Sequence, residues 1–284
     1  MGGRSHSADA PASWLVGPEW SRDRHFTGGK VQDVDQVADL LRPRRYPRSS
    51  EYDPEWVLAL DMGPHPLWQL EDLLIGVEVA AGSRVLDLGS GMGATSVYLV
   101  REYDCEVVSL DLWVPAEDRR AVLEAAGVGE HVTTITGDVR TMALGDGVFD
   151  AIISVDAFEY FGTDARFLPR LVAALRPGGA LAMSTPALRD DPYTAAVPPH
   201  VQTLFGAEAA AWHAPAWWRR HWELTGLVDY IEARWQDGGR DNWLMWERVR
   251  RVGLNQTDPS LVVKMLEADA DEQVGFALVS ARKR

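Results

Sequence analysis

The chain has 284 residues, a formal net charge of −14, twelve tryptophans and one cysteine. That charge repels polyanions and argues against a nucleic-acid partner. No run of eighteen apolar residues offers a membrane span. Hydrophobic residues make up 46% of the sequence, enough for the core of one large α/β domain with an added cap.

The first residues, Met-Gly-Gly-Arg-Ser-His-Ser, lack the apolar stretch of a secretory leader, and His6 breaks the myristoylation pattern. One cysteine cannot form an internal disulfide. Cys105 opens an apolar run and reads as a buried thiol. These features lead us to expect a cytoplasmic protein, with homo-oligomer formation left open.

Residues 1–20 are small and polar, with Trp14 and Trp20 as docking points. Val31, Val34, Val37, Ala38, Leu40 and Leu41 are spaced for a helix. Arg42, Arg44, Arg45 and Arg48, interleaved with Pro43 and Pro47, read as a solvated loop. Asp53-Pro54 predicts a helix over 55–60, and 67–75 predicts another, ending near Gly76. Residues 1–80 are thus an N-terminal helical extension and partial cap, and 81–284 are the core.

The core alternates. Strands are expected near 84–88, 106–110, 132–136, 149–155 and 179–184, and helices near 94–103, 116–126 and 164–175. Thr163 or Asp164 is the expected N-cap of the last of these helices. Parallel strands need crossover helices, so the pattern implies a doubly wound sheet. Pro186, Pro192, Pro198 and Pro199 then break the alternation. Residues 186–213 read as an insertion after the fifth strand that covers the active site. A helix over 215–225, a sixth strand over 227–235, helices over 241–252 and 260–268, and a last strand over 273–281 follow.

Residues 84–93, Arg-Val-Leu-Asp-Leu-Gly-Ser-Gly-Met-Gly, are a strand, a glycine turn and a helix start. Glycines permit positive φ and close approach of a ligand to the backbone, and the helix offers unpaired N–H groups. Asp111 ends the next strand about twenty residues on, where such folds present a carboxylate to ribose hydroxyls. The dinucleotide fingerprint Gly-x-Gly-x-x-Gly is met by Gly89, Gly91 and Ala94 only in its alanine variant. A nicotinamide-dependent oxidoreductase is therefore the weaker alternative.

Val85–Gly93 resembles motif I of the class I S-adenosylmethionine-dependent methyltransferases. Asp111 resembles that family's ribose acid. Gly137-Asp138-Val139 resembles the segment whose Asp side chain and following amide hold the adenine. Residues 148–156 and 175–183 resemble its fourth strand and its fifth turn and strand. The match covers residues 65–185 in the family's order. It implies a Rossmann-like seven-stranded sheet whose last strand, carrying Val274, Phe276, Leu278 and Val279, runs antiparallel beside the fifth. It also implies S-adenosyl-L-methionine as cofactor, held by Asp87, Gly89, Ser90, Gly91, Gly93, Asp111, Leu112, Asp138 and Val139. Leu112 and Trp113 are expected to sandwich the adenine, and Trp68 to close over the cofactor. No metal is expected, since there is no His-Glu-x-x-His and no cysteine pair.

Methyl transfer is an in-line displacement in which placement of the acceptor does much of the work. A base is needed only where the acceptor must lose a proton early. Asp156, Glu159 and Tyr160 follow the fourth strand, at the carboxyl edge where ligands bind. Asp156, Tyr160, His200 and His65 are the catalytic candidates. His213 and His221 lie beside Trp212, Trp217, Trp218 and Trp222. These tryptophans read chiefly as packing, with an aromatic-lined pocket as the functional alternative. We expect a hydrophobic or aromatic small-molecule acceptor; the flanking segments loosely resemble methyltransferases of bacterial secondary metabolism. A cofactor-binding protein without transferase activity is the other alternative. A lipid-directed cyclopropane-type synthase ranks lower, because no basic lipid-facing surface is evident.

Overall fold

The computed structural model describes residues 41–60, 62–253 and 259–284. The expected docking of Trp14 and Trp20 and nearly all of the helix over 31–41 lie outside the described residues.

Two short helices precede the sheet. α1 (Pro54–Ala59) starts where Glu55 N donates to Asp53 Oδ1, with Pro54 in its first turn. α2 (Pro66–Leu73) buries Leu67, Trp68, Leu70 and Leu73. Asp72, also on α2, is 2% exposed and accepts from Arg45, Tyr46 and Gln236. This hub ties the extension to the far side of the core. Arg45, one of the clustered arginines, is therefore a structural ion-pair partner of Asp72.

The core elements follow as β1 (Arg84–Leu88), α3 (Ala94–Tyr103), β2 (Glu106–Asp111), α4 (Ala116–Ala125), β3 (Val132–Thr136), β4 (Phe149–Val155), α5 (Leu168–Ala174), β5 (Leu175–Leu188), α6 (Pro199–Phe205), α7 (Pro215–Glu223), β6 (Val228–Trp235), α8 (Gly239–Gly253), α9 (Leu261–Ala268) and β7 (Val274–Lys283). The sheet order is β3-β2-β1-β4-β5-β7-β6. β1 to β5 are parallel, and β7 runs antiparallel to both β5 and β6. This is the expected seven-stranded Rossmann-like sheet.

Alternation along the strands divides the core in two. Val85, Val107, Ile153 and Ala182 pack with Leu67, Trp68, Val97, Leu99 and Trp246 on one face. Leu86, Val108, Ile152 and Leu181 pack with Leu168, Leu171, Trp218 and Trp222 on the other. Each such aliphatic side chain contributes about 1.5–3 kcal/mol by leaving water. A third cluster joins Leu188, Val201, Trp212, Trp243, Leu266 and Phe276 beyond the main sheet.

Several boundaries differ from the sequence expectation, β5 starting already at Leu175 instead of 179. β5 runs to Leu188 instead of ending at 184, because β7 pairs with it as far as Leu188↔Val274. Pro186 is tolerated there because β4 ends its pairing at Val155↔Ser184, so β5 has one neighbour at that point and needs no donor toward the other. The segment expected as an insertion therefore starts after Leu188. α5 starts at Leu168, and Asp164 is not its cap. Asp164 instead accepts from Arg166 N in a local turn.

Candidate active site

The glycine turn between β1 and α3 holds Gly89, Gly91 and Gly93 at φ of 76°, 52° and 91°. A Cβ on Gly89 would lie 2.3 Å from that of Ala157, and one on Gly91 would lie 3.0 Å from Met62 Sδ. Only glycine fits the turn. Beneath it, Asp87 is 1% exposed. Its Oδ2 accepts from Thr95 Oγ1 at 2.7 Å and Ser96 Oγ at 2.6 Å, while Oδ1 has no partner. Burial pushes the Asp87 carboxyl up to about 6. Ser90 Oγ sits 2.7 Å from Ser109 Oγ and joins β1 to β2.

Asp111, at the end of β2, accepts from three amides: Trp113 N at 2.7 Å and Val114 N at 2.9 Å on Oδ1, and Gly91 N at 2.8 Å on Oδ2. A carboxylate has about four acceptor positions, so one remains, on Oδ2. Leu112 and Trp113 keep about 40% of their surface exposed. Asp138 follows β3. Arg140 Nε and a terminal guanidinium nitrogen reach its two oxygens at 2.9 and 2.8 Å, and this contact is the main reason its carboxyl titrates below the usual range. Val139 is buried. Sequence reading missed Arg140, since a residue two positions on gives no sign of folding back.

Trp68 does not close over this site. It is 1% exposed, stacked 4.0 Å from His65 and 5.6 Å from Tyr46. Met62 takes the place above the glycine turn instead. Its neighbour Gly63 accepts from Trp246 Nε1 at 3.0 Å, and a Cβ on Gly63 would lie 2.5 Å from Asp156 Oδ2.

The second group of side chains gathers at the carboxyl ends of β4 and β5. Asp156 turns the chain out of β4 at φ 53°, and its N–H donates to Ser184 O. Glu159 is 4% exposed and accepts from Thr185 Oγ1 at 2.6 Å. Burial, with the charge of Glu208 nearby, pushes Glu159 up to about 8. Tyr160 donates to Glu208 Oε1 at 3.1 Å and meets the Trp113 ring edge-on at 4.9 Å. Tyr160 as a whole keeps 37% of its surface exposed. Burial, then the charges of Glu159, Glu208 and Asp156, hold the Tyr160 phenol above its ordinary value. Glu208 belongs to a 3-10 turn in the insertion, Glu208–Ala211, and burial raises it too. No local motif marks Glu208, so its meeting with Tyr160 is a tertiary fact.

Two histidine candidates are placed elsewhere. His65 accepts from Trp68 N through Nδ1 and is packed between Trp68 and Trp246. Burial pulls it down to about 3, so it is neutral and a weak base. His200 lies 3.1 Å from Asp269 Oδ1. Asp269 is buried and accepts from Gln273 N and Val274 N, which pins the turn into β7. That turn lies past the Leu188 end of β5, well beyond Ser184 where Asp156 is anchored. Neither histidine joins Asp156 and Tyr160.

The tryptophan cluster is packing. Trp212, Trp218 and Trp222 are fully buried, and the last two meet Phe158 edge-on. Trp217 is sandwiched between His213 at 3.6 Å and His221 at 4.6 Å. His213 contacts Asp191 and His221 contacts Gly162 O, and burial lowers both imidazoles. The exposed aromatic surface at the site is Trp113 and Tyr160. Among the described residues no group of three or more metal-binding side chains occurs, and no helix is long and apolar enough to cross a membrane.

The residues fit S-adenosylmethionine. An unpartnered buried Asp87 oxygen suits an ammonium, and the last Asp111 position suits a ribose hydroxyl. Residues 85–179 match the family model described as a methyltransferase domain. A glycine/sarcosine/dimethylglycine N-methyltransferase of Actinopolyspora halophila is 32% identical over 116 residues, 40% of this chain and 20% of that protein. A sarcosine/dimethylglycine N-methyltransferase of Halorhodospira halochloris is 26% identical over 208 residues, 60% of this chain and 75% of that protein. The chain thus spans only a fifth of the first of these relatives. A geranyl diphosphate C-methyltransferase structure from Streptomyces coelicolor A3(2), with Mg2+, geranyl diphosphate and S-adenosyl-L-homocysteine, has a TM-score of 0.63 at 16% identity, covering 95% of each chain. A phosphoethanolamine N-methyltransferase 2 structure from Haemonchus contortus, with S-adenosyl-L-methionine, has a TM-score of 0.65 at 18% identity, covering 91% of this chain and 61% of that one.

Proposed function

We propose that this chain, which carries a class I S-adenosylmethionine-dependent methyltransferase domain, transfers the cofactor's methyl group to a small-molecule acceptor seated at the carboxyl end of β4. The observation that carries the reading is the joining of the glycine turn to Asp111 through Gly91 N, above an Asp87 oxygen with no partner. When bound, the cofactor supplies a methyl carbon activated by its sulfonium. Asp87 draws the ammonium, Asp111 takes a ribose hydroxyl, and Asp138 with the Val139 amide takes the adenine edge. Leu112 and Trp113 offer exposed apolar surface to that flat ring.

On the acceptor side, Trp113 and Tyr160 form the apolar wall, so the acceptor presents an apolar or aromatic face there. Tyr160 keeps its proton and donates it in a hydrogen bond, which makes it an orienting group rather than a base. Asp156 is the carboxylate placed to take a proton from an acceptor that must lose one. Most of the rate then comes from holding the nucleophile on the methyl axis. Calorimetric titration with S-adenosylmethionine, S-adenosylhomocysteine and NAD tests this. Binding of the first two and not NAD is expected; binding of NAD alone would overturn it in favour of an oxidoreductase, for which the site offers no other support.

A further inference from the structure

Arg119, in the first turns of α4, is fully buried under the carboxyl ends of β2 and β3. Its guanidinium donates to three main-chain carbonyls: Val114 O, Ser109 O at 3.2 Å and Ile135 O at 2.5 Å. Its Nε has no partner, and its charge meets no carboxylate directly. A guanidinium taken wholly out of water costs several kcal/mol unless opposite charge compensates it. The acids that act on it are Asp111, Asp87 and Glu117. The first two are the buried acids of the cofactor site.

The register ties these groups together. Ser109, whose carbonyl Arg119 holds, is the strand partner of Asp87 and stands two residues before Asp111. Val114 gives its N–H to Asp111 and its carbonyl to Arg119. A direct ion pair with either acid would occupy the acceptor positions that a ligand's ammonium and hydroxyls need. Donation to carbonyls leaves those positions open while the positive charge stays close.

We propose that Arg119 is a positioning residue for cofactor binding: a buried counter-charge, held off the carboxylates by carbonyls, that offsets the charges of Asp87 and Asp111 while leaving their remaining acceptor positions to the ligand. The inference rests on the methyltransferase reading of the site. Asp87 faces Asp111 from β2, which disfavours its charge, and Arg119 from α4, which favours it; from α3 it meets only the hydroxyls of Thr95 and Ser96. Removing Arg119 leaves two buried acids repelling each other, offset only by the Thr95 and Ser96 hydroxyls and the amides on Asp111.

The test is S-adenosylhomocysteine binding by calorimetry from pH 5.5 to 8.5 with the full chain, Arg119→Gln and Arg119→Lys, each checked by thermal unfolding. In the unmodified chain, affinity should fall as pH drops through about 6, where Asp87 takes a proton. In Arg119→Gln the midpoint should move up; for a one-unit move binding weakens about eightfold at pH 5.5 and about twofold at pH 7, and recovers by pH 8.5. Arg119→Lys keeps the charge and should keep both the midpoint and the affinity. Equal weakening at every pH in both variants would overturn the proposal and leave Arg119 a carbonyl clamp. Should Arg119→Gln not fold, Arg119→Lys decides alone: a clamp predicts pH-independent loss, because an ammonium cannot span three carbonyls. Failure of the unmodified chain to bind at any pH would instead sink the cofactor reading, and that shows before any variant is made.

Discussion

Asp111, at the end of β2, and Glu159, after β4, are both buried acids, but the molecule holds them by different means. Asp111 is satisfied by backbone amides from its own loop and from the glycine turn. Glu159 and Glu208 are satisfied by side-chain hydroxyls, Thr185 and Tyr160, the latter 48 residues from its partner. Backbone amides lie close to fixed geometry once the strands pair, so the first side is a rigid receptor for an anion-seeking ligand. The second depends on rotamers and on the insertion, and burial raises both Glu159 and Glu208. One side is built to hold a constant ligand, the other to be adapted.

The sharpest way to break this contrast is Gly89→Val. A positive φ and a Cβ 2.3 Å from Ala157 leave no room, so S-adenosylhomocysteine binding should fall below calorimetric detection. Asp111→Ala should come next. It orphans amides at a cost of about 1–3 kcal/mol each if they stay dry, and affinity should drop roughly a hundredfold. Near-normal affinity in that variant would remove the ribose assignment.

Glu159 sharpens the other side through pH. Its folded-state value of about 8 lies above that of an unfolded glutamate, near 4.5. Its protonated form therefore contributes stability that is full below about pH 4.5 and is lost as pH rises through 8. Thermal unfolding of Glu159→Gln should match the unmodified chain near pH 4.5 and exceed it increasingly toward pH 8.5, with cofactor affinity unchanged. A gap that does not vary with pH would mean the carboxyl is ionised throughout. Tyr160→Phe should bind cofactor within about twofold and, once an acceptor is in hand, transfer methyl about tenfold more slowly. The smallest effect belongs to His200→Ala: turnover intact, and about 1 kcal/mol of stability lost with the Asp269 contact, read as a few degrees in Tm.

The same contrast explains what could be read from the sequence. β1, the glycine turn and α3 fall where the residues put them, because a strand, positive-φ glycines and a helix are all encoded within twenty positions. β2, β3 and β4 were equally legible from short apolar runs. The end of β5 was not, because Pro186 reads as a breaker unless one knows that β7 supplies the only neighbour there. Trp68 looked like a lid from its place beside the core. Its real setting is fixed by Tyr46 and by Trp246, the latter 178 positions away (246 − 68). His200 likewise reads as a free base until Asp269, 69 residues on, claims it. Helical periodicity reports that a face is buried, not which long-range partner buries it.

The position of β7 bears on how the molecule is made. It is the last strand in the chain order yet lies between β5 and β6, and Ala180 waits for Arg282, roughly a hundred residues later, to complete its pairing. Strands β1 to β4 need no such wait, since each has its neighbours within about 70 residues. A ribosome therefore delivers the cofactor-binding sheet while β5 and β6 still lack the strand that joins them. Until then β5 presents a bare edge, the kind of surface that recruits chaperones or aggregates. The pairing that closes the acceptor half is also the longest in range within the sheet, the kind of contact whose loop-closure entropy slows folding.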